Sequence, residues 1–161
     1  METLSFDLLQ FLYHLALAIL IGGSLVLGTA VAPVLFASPR SRSEAGTLFG
    51  NVLARFDGLA IFSVIVFTLT SVLKALGFEV TGAPDMRLVL RWVALAALSL
   101  ATLYSSAWAN PVARQIRAAT PGFDEQPQNS PARIEFATLH QNSRRAMSVA
   151  VVFGLLALFL G

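Results

Sequence analysis

Residues 8–36, LLQFLYHLALAILIGGSLVLGTAVAPVLF, contain no charged side chain and few polar ones. A helix that crosses a bilayer needs about 20 consecutive, mostly apolar residues, so this stretch is long enough to do so. Cleavable signal peptides have an apolar run of roughly 7–15 residues behind a basic leader, whereas Glu2 and Asp7 precede this longer run. The stretch therefore predicts a retained transmembrane helix.

Three further apolar segments predict three more membrane-spanning helices. Together with the first, the spans are expected at residues 6–36, 57–77, 87–110 and 143–160. Only 12% of the 161 residues are charged, whereas soluble domains have roughly 25%. The predicted fold class is all-α: one transmembrane domain over residues 1–161, which forms an integral membrane four-helix bundle in the lipid bilayer.

Helix and turn signals mark the segments between the spans. Ser43 is expected to cap the second helix, whose early part at residues 44–56 is amphipathic and lies at the interface before the second span. Residues 120–130 predict a polar loop between the third and fourth spans. At its end, Ser130 followed by Pro131 indicates a cap and the first position of the last helix.

Prolines are expected to disturb two of the helices, because proline has no N–H to donate within a helix. Pro33 and Pro39 should loosen the end of the first helix. Pro111 should kink the third helix, which we expect to begin near Met86 and to continue to about Ala119.

Basic residues are distributed unequally between the two membrane surfaces. We call side A the surface at which the first span begins, and side B the opposite surface. Side A has three basic residues, Lys74, Arg87 and Arg91. Side B has eight, Arg40, Arg42, Arg55, Arg114, Arg117, Arg133, Arg144 and Arg145. By the positive-inside rule we expect side B to be cytoplasmic and both termini to lie outside the cytoplasm, in a bacterial inner membrane.

The function classes that composition excludes are few. The net charge is +2, and because the basic residues flank apolar spans we interpret them as topology signals, so no nucleic-acid partner is expected. The chain has no cysteine, which excludes disulfides, thiolate ligands and thiol catalysis. It has no GxSxG, HExxH or phosphate-binding glycine loop, and we expect no enzymatic activity.

Small residues recur at four-residue spacing in three of the spans. Such rows let helix backbones approach closely in lipid, so they predict a tight bundle that forms a homodimer or joins a larger membrane complex. The rows are Ala18 and Gly22; Ser24, Gly28 and Ala32; Ala97, Ala101, Ser105 and Ala109; and Ala146, Ala150 and Gly154.

A polar group lies near side A on the first span. Asp7, Gln10 and His14 share one helical face, at spacings of three and four residues. A carboxylate can orient an imidazole, and the basic residues of side A could bind an anion beside them. The alternative is a hydrated stripe of residues that meets the lipid headgroups.

A second polar layer lies near side B. Asp57 stands at the mouth of the second span, and a charge there needs a partner, for which Arg114, Arg144 and Arg145 are the candidates. The layer is either an ion-paired collar or a site for a partner or small ligand. Its members are Arg55, Asp57, Asn110, Arg114, Arg117, Glu135, His140, Arg144 and Arg145.

The two histidines are not expected to share a metal ion. His14 lies near side A and His140 near side B, so about 30 Å separates them at the helical rise, whereas metal ligands lie about 2 Å from their ion. Haem b or a transition metal bound through His14 stays open as an alternative. A small oligomeric transporter is a further alternative, and it would need a water-accessible cavity at mid-membrane.

Three motifs carry a resemblance to a known family. They are YHLALAILIGGSLVLGTAVAPVLFASPRS at residues 13–41, WANP at 108–111 and FATLHQNS at 136–143. In order and spacing they resemble the transmembrane protein 205-like family, whose bacterial members form a domain family of unknown function. A looser likeness exists to four-helix membrane proteins that handle copper or haem, which also have a histidine early in a span.

The resemblance implies a compact four-span bundle and no established reaction. It implies that the family's marked positions are His14, Trp108, Pro111, His140 and Ser143. This chain departs from the family at Asn110, where an acidic residue is usual, and at Met147, where asparagine is usual. The candidate ligand or partner residues are therefore His14, Asp7, Gln10, Asp57, Trp108, Asn110, Arg114, His140, Ser143 and Arg144.

Overall fold

A computed structural model describes residues 2–37, 41–80 and 82–161, and for residues 2, 3 and 42 the backbone alone. Within these residues the fold is an all-α bundle of four helices that are long and apolar enough to cross a membrane. The four helices are Leu4–Ala37, Ser43–Glu79, Met86–Ala119 and Pro131–Leu160. Each predicted span lies within one of them, and the depth at which each enters the bilayer stays a prediction.

Each of the first three helices contains one turn of wide, π-type winding, at Leu27–Val31, Ala75–Glu79 and Tyr104–Ala109. In the third helix the N–H of Asn110 bonds to the carbonyl of Ser105, one residue further back than in an α-helix. This wide turn ends two residues before Pro111, whose missing N–H and ring would disturb regular winding. The disturbance predicted at Pro111 thus takes the form of a wide turn, and Pro39 lies outside the described residues.

The remaining α-helical segments complete the four helices. They are Glu2–Val26 and Ala32–Ala37 in the first, Arg42–Lys74 in the second, Met86–Leu103 and Asn110–Ala119 in the third, and Pro131–Leu160, which is the whole of the fourth.

The cap predicted at Ser43 is wrong by two residues. Ser41 is the capping residue, with an extended backbone and a side-chain oxygen that accepts a hydrogen bond from the N–H of Glu44. Ser43 instead lies within the helix and donates its hydroxyl hydrogen to Asp124 of the loop between the third and fourth helices. Local propensity does not distinguish Ser41 from Ser43, because serine is a favoured capping residue at either position. The contact of Ser43 with the loop could not be predicted from local propensity.

The start of the fourth helix is confirmed at Ser130 and Pro131. Ser130 is extended and Pro131 is the first helical residue, although the Ser130 hydroxyl makes no capping bond. In the preceding loop, Phe123 is buried between the guanidinium groups of Arg117 and Arg133, 5.6 Å and 5.4 Å from its ring centre. These contacts fix the polar loop against the side-B end of the bundle.

The core is formed by apolar side chains from all four helices. Its most deeply buried members are Tyr13, Leu17, Leu20, Phe67, Ala94, Leu98, Ala150 and Ala157. Outside it, large apolar side chains such as Leu100 and Phe159 are more than two-thirds exposed, as expected for surfaces that face lipid rather than water.

The small-residue rows pack in the third and fourth helices but not in the first. Ser105, Ala109, Ala150 and Gly154 are buried, and a Cβ at Gly154 would lie 2.8 Å from Ile21 Cγ1. On the first helix, by contrast, Ala18 is exposed and Gly22 has open space around its Cα. The rows on the first helix are therefore not packed within the bundle, since its side-B half diverges from the fourth helix. Their packing against a second copy stays a prediction.

Among the described residues, polar contacts tie the first helix to its neighbours only near side A. Tyr13 donates its hydroxyl hydrogen to the Ala157 carbonyl over 3.0 Å. Further along, Ser24 and Thr29 bond to carbonyls of their own helix, and within the described chain residues 24–37 make no polar contact with another helix. The start of the first helix and the end of the fourth lie together, as an even number of crossings requires.

We expect Tyr13→Phe to lower the free energy of unfolding by about 1 kcal/mol, because it leaves the buried Ala157 carbonyl without its partner. Unfolding of the detergent-solubilised protein measures the change. Tyr104→Phe is the matched control, since the Tyr104 side chain is exposed, and it should have no effect. Equal stability of the two variants would contradict the contact.

Candidate functional site

A buried chain of hydrogen bonds joins the second, third and fourth helices at side B. Asp57 accepts one bond from the Asn110 amide over 2.8 Å and another from the Arg114 guanidinium over 2.7 Å. Ser143 donates to the Asn110 carbonyl oxygen over 2.6 Å, and its hydroxyl lies 2.7 Å from that of Ser105. Because the single proton of Ser143 goes to Asn110, Ser105 is the donor in the last bond.

The pairing predicted for Asp57 is confirmed, with Arg114 as its partner. The other two candidates, Arg144 and Arg145, are exposed and form no ion pair with a described residue. Asp57 is 4% exposed, and both its oxygens are engaged. A buried carboxylate needs such compensation, since its desolvation is costly without it.

A groove of about 690 Å³ lies beside this chain of bonds, between the first, second and fourth helices. Ser24, Gly28 and Ala32 line it from the first helix, so the row that fails to pack there forms a groove wall. The other walls are apolar, with Phe36, Phe49, Leu53, Phe56, Met147 and Val151 among them. Polar groups of Asn110, His140, Ser143 and Arg144 converge at one end.

His140 and Trp108 differ in their relation to this groove. The His140 imidazole lines the groove and stacks on Phe136, with the rings 5° from parallel and their centres 6.1 Å apart. Trp108 is half-exposed and packs against Tyr104, with ring centres 5.3 Å apart, outside the groove. Of the predicted side-B residues, the structure thus brings Asp57, Asn110, Arg114, His140, Ser143 and Arg144 together and leaves Trp108 apart.

The polar residues of side A form a different cluster from the one predicted. His14 Nδ1 lies 2.8 Å from the Gln10 backbone carbonyl, and the Gln10 side chain accepts a hydrogen bond from Lys74. Asp7 is exposed and bonds to no described residue. The carboxylate beside Lys74 is instead Glu79, which also forms an ion pair with Arg91.

Sequence reasoning missed Glu79 because it lies in GFEVTGAPD, which has the composition of a turn. The second helix continues through its wide turn to Glu79, which brings the carboxylate back towards Lys74 and within reach of Arg91. Glu79 lies five residues after Lys74, which is the spacing that hydrogen bonds span in a π-type turn. This spacing is the only sequence signal that could have revealed the ion pair of Lys74 and Glu79.

A metal or haem at His14 has limited support from its surroundings. The Gln10 carbonyl occupies Nδ1 and leaves Nε2 for a ligand. Within the described residues, no group of three or more histidine, cysteine, aspartate or glutamate side chains could hold a metal ion. His14 lies with Tyr13 at the side-A end, and His140 lies at the side-B groove.

Comparison with known proteins gives one finding. A family model described as "Domain of unknown function (DUF4149)" matches residues 15–121, which is more than half of the chain. No curated protein and no solved structure matches this chain. The matched residues include Asp57, Asn110 and Arg114 of the side-B layer, and exclude His140 and Ser143.

Proposed function

The chain belongs to the family of a domain of unknown function, DUF4149, and from that premise we propose that it is a non-enzymatic membrane protein whose side-B groove binds one amphiphile with an anionic head. The acyl or similarly apolar part of the ligand lies against the groove walls. Its head lies at the polar end, beside Arg144 and His140.

The observation that carries the proposal is the charge at the polar end of an apolar groove. Arg144 lines the groove, and no described carboxylate neutralises its guanidinium. Asn110 and Ser143, also at this end, are occupied in the buried chain of hydrogen bonds. An anionic head beside Arg144 would supply the missing partner for the guanidinium, and the walls would supply apolar contact.

Binding is favoured over catalysis because Asp57, the carboxylate in the buried chain of hydrogen bonds, is saturated. Both oxygens of Asp57 accept hydrogen bonds from side chains that also hold the helices together. A general base must be free to take a proton from its substrate, and Asp57 is not. The hydrogen bonds of Asp57 therefore stabilise the bundle, and the groove beside them binds the ligand.

Two finer parts of the proposal rest on sequence. We propose a relation to the transmembrane protein 205-like family, on the three motifs at residues 13–41, 108–111 and 136–143. We also propose a bacterial inner membrane with side B in the cytoplasm, on the eight basic residues of side B against three. The head of the amphiphile then lies in the cytoplasmic leaflet.

A bulky side chain in the groove tests the proposal directly. Gly28 lines the groove with open space around its Cα. The indole of Gly28→Trp should therefore fill the groove without displacing neighbouring side chains. We expect this variant to weaken binding of dansyl-undecanoic acid, a fluorescent anionic amphiphile, by about tenfold or more, since the lost apolar contact corresponds to over 1.4 kcal/mol. Fluorescence titration of the detergent-purified protein measures the dissociation constant.

Gly58→Trp is the matched control, because Gly58 also has open space around it and does not line the groove. It should bind the probe as the unchanged chain does. Arg144→Gln should weaken binding of the anionic probe more than it weakens binding of the uncharged alcohol analogue. Equal binding by the Gly28 and Gly58 variants would refute the proposal. So would a detergent-stable dimer that Gly28→Trp dissociates, because a second copy would then occupy the groove.

A further inference from the structure

A second cavity, of about 430 Å³, lies at the opposite end of the bundle. It is bounded by the start of the first helix, the end of the second, the start of the third and the end of the fourth. Lys74, Glu79, Asp85, Arg87 and Arg91 are the charged side chains of the described residues that line it. Three of these are cations and two are carboxylates.

Two of the cations are almost completely buried. Lys74 is 1% exposed and Arg91 is 5% exposed. Both share one carboxylate, since Lys74 Nζ lies 3.4 Å from Glu79 Oε1 and Arg91 Nη1 donates to the same oxygen over 3.0 Å. One carboxylate therefore serves two buried positive charges.

The other charged side chains of the cavity do not remove this excess. Asp85 is the cap of the third helix, and its carboxylate accepts a hydrogen bond from the Leu88 N–H over 2.7 Å. Arg87 is exposed and donates to the carbonyls of Phe159 and Leu160, at the end of the fourth helix. The Tyr13 ring lies beneath the two buried cations, 4.9 Å from Lys74 Nζ and 5.9 Å from Arg91 Cζ. A ring face offsets only a fraction of a full charge.

One donor in the cluster also lacks a partner. The Nε–H of Arg91 is buried and makes no hydrogen bond to the described residues. A buried charged donor without an acceptor is costly. An oxyanion in the cavity would supply an acceptor and would neutralise the uncompensated charge at the same time.

We propose that the side-A cavity is a binding site for a phosphate group, held by Lys74 and Arg91. The predicted spans end at this cavity, so we expect it to lie at the depth of the lipid headgroups, where phosphate is the common anion. Both Nη groups of Arg91 bind the oxygens of Glu79, so the Nε–H of Arg91 and the point charge of Lys74 are the groups that would meet oxygens of one phosphate. This site is independent of the amphiphile groove, which lies at the other end of the bundle.

The phosphate can come from a lipid headgroup or from solution, and two titrations distinguish these sources. The full chain, purified in a maltoside detergent without phosphate, is titrated calorimetrically with inorganic phosphate. It is then titrated with short-chain phosphatidylglycerol and with the matching diacylglycerol, which lacks the phosphate. Saturable binding of phosphatidylglycerol but not of diacylglycerol identifies a headgroup, and saturable binding of inorganic phosphate alone identifies a free anion. Binding of neither phosphate source overturns the proposal.

Two variants of the side-A cluster should change the affinity for phosphate in opposite directions. Arg91→Gln should weaken phosphate binding about tenfold or more, by removal of a charge-assisted bond. Glu79→Gln should strengthen it, because the competing carboxylate is gone. Arg55→Gln, an exposed arginine of side B, is the control and should leave it unchanged.

A purely structural cluster predicts something different. It would make both Arg91→Gln and Glu79→Gln less stable, with no gain of binding in the latter, and that result would overturn the site. If Arg91→Gln fails to fold, Arg91→Lys keeps the charge without the Nε–H and should still weaken binding. Circular dichroism checks that each variant keeps its helices.

Discussion

Asp57→Ala should lower the free energy of unfolding by about 3 kcal/mol, near the lower end of the range for breaking a buried ion pair. The change removes both oxygens that accept bonds from Asn110 and Arg114. It leaves a buried amide without its acceptor and a guanidinium without its counter-charge. The Arg114 side chain is 35% exposed, so water recovers part of the loss, which is why we expect the lower end.

Reversible unfolding of the detergent-solubilised protein measures the effect of Asp57→Ala. Asp124→Ala is the matched control, since Asp124 pairs with Arg117 over 2.7 Å but is 38% exposed. An exposed pair contributes below about 1 kcal/mol, so the control should lose little stability. If the two variants lost equal stability, the hydrogen bonds of Asp57 would not form a buried unit that joins the helices at side B.

Gly23→Leu should destabilise the bundle by roughly 1–3 kcal/mol or more, the range for inserting atoms into a packed interior. A Cβ at residue 23 would overlap the ring of Phe56, which is 7% exposed. The ring would have to move, and its displacement would also change the wall of the side-B groove, which Phe56 lines. The same variant should therefore also weaken binding of the anionic amphiphile.

Gly22→Leu provides the control one residue away. No atom lies within 4 Å of a Cβ at Gly22, and leucine is a better helix former than glycine by nearly 1 kcal/mol. We expect this variant to be as stable as the unchanged chain or slightly more stable, by the same unfolding measurement. Destabilisation of both variants to the same extent would mean that the close approach of Phe56 to Gly23 does not exist.

The four spans were predictable from sequence because the bilayer demands long apolar runs, and little else satisfies that demand. The ion pair of Asp57 was predictable for a related reason, since a carboxylate at that depth needs a cation. The choice of Arg114 over Arg144 was not, because it depends on which face of each helix meets its neighbour. Tyr104–Ala109 winds as a wide turn, and this turn shifts the faces that follow by one residue relative to a regular helix.

Other features depend on tertiary contacts that local patterns do not contain. Gly22 and Gly23 are neighbours of the same type, yet only Gly23 faces Phe56. Glu79 belongs by composition to a turn and by structure to the end of a helix. The side-B groove exists because the first helix diverges from the fourth, and the small residues on the first helix had indicated the opposite. The sequence therefore predicted the polar residues near each side of the bundle, but it did not predict the side-B groove.

The uneven tethering of the first helix has a consequence for how molecules exchange with the bilayer. Its side-A half is held by Tyr13 and Gln10, whereas its side-B half meets its neighbours through apolar contacts such as that of Phe36 with Phe49. In lipid, two apolar helix faces that part are covered by acyl chains as apolar as themselves, so the hydrophobic effect hardly opposes their separation. Lateral entry of the proposed amphiphile from the leaflet would thus break no hydrogen bond between the described residues of this half and another helix.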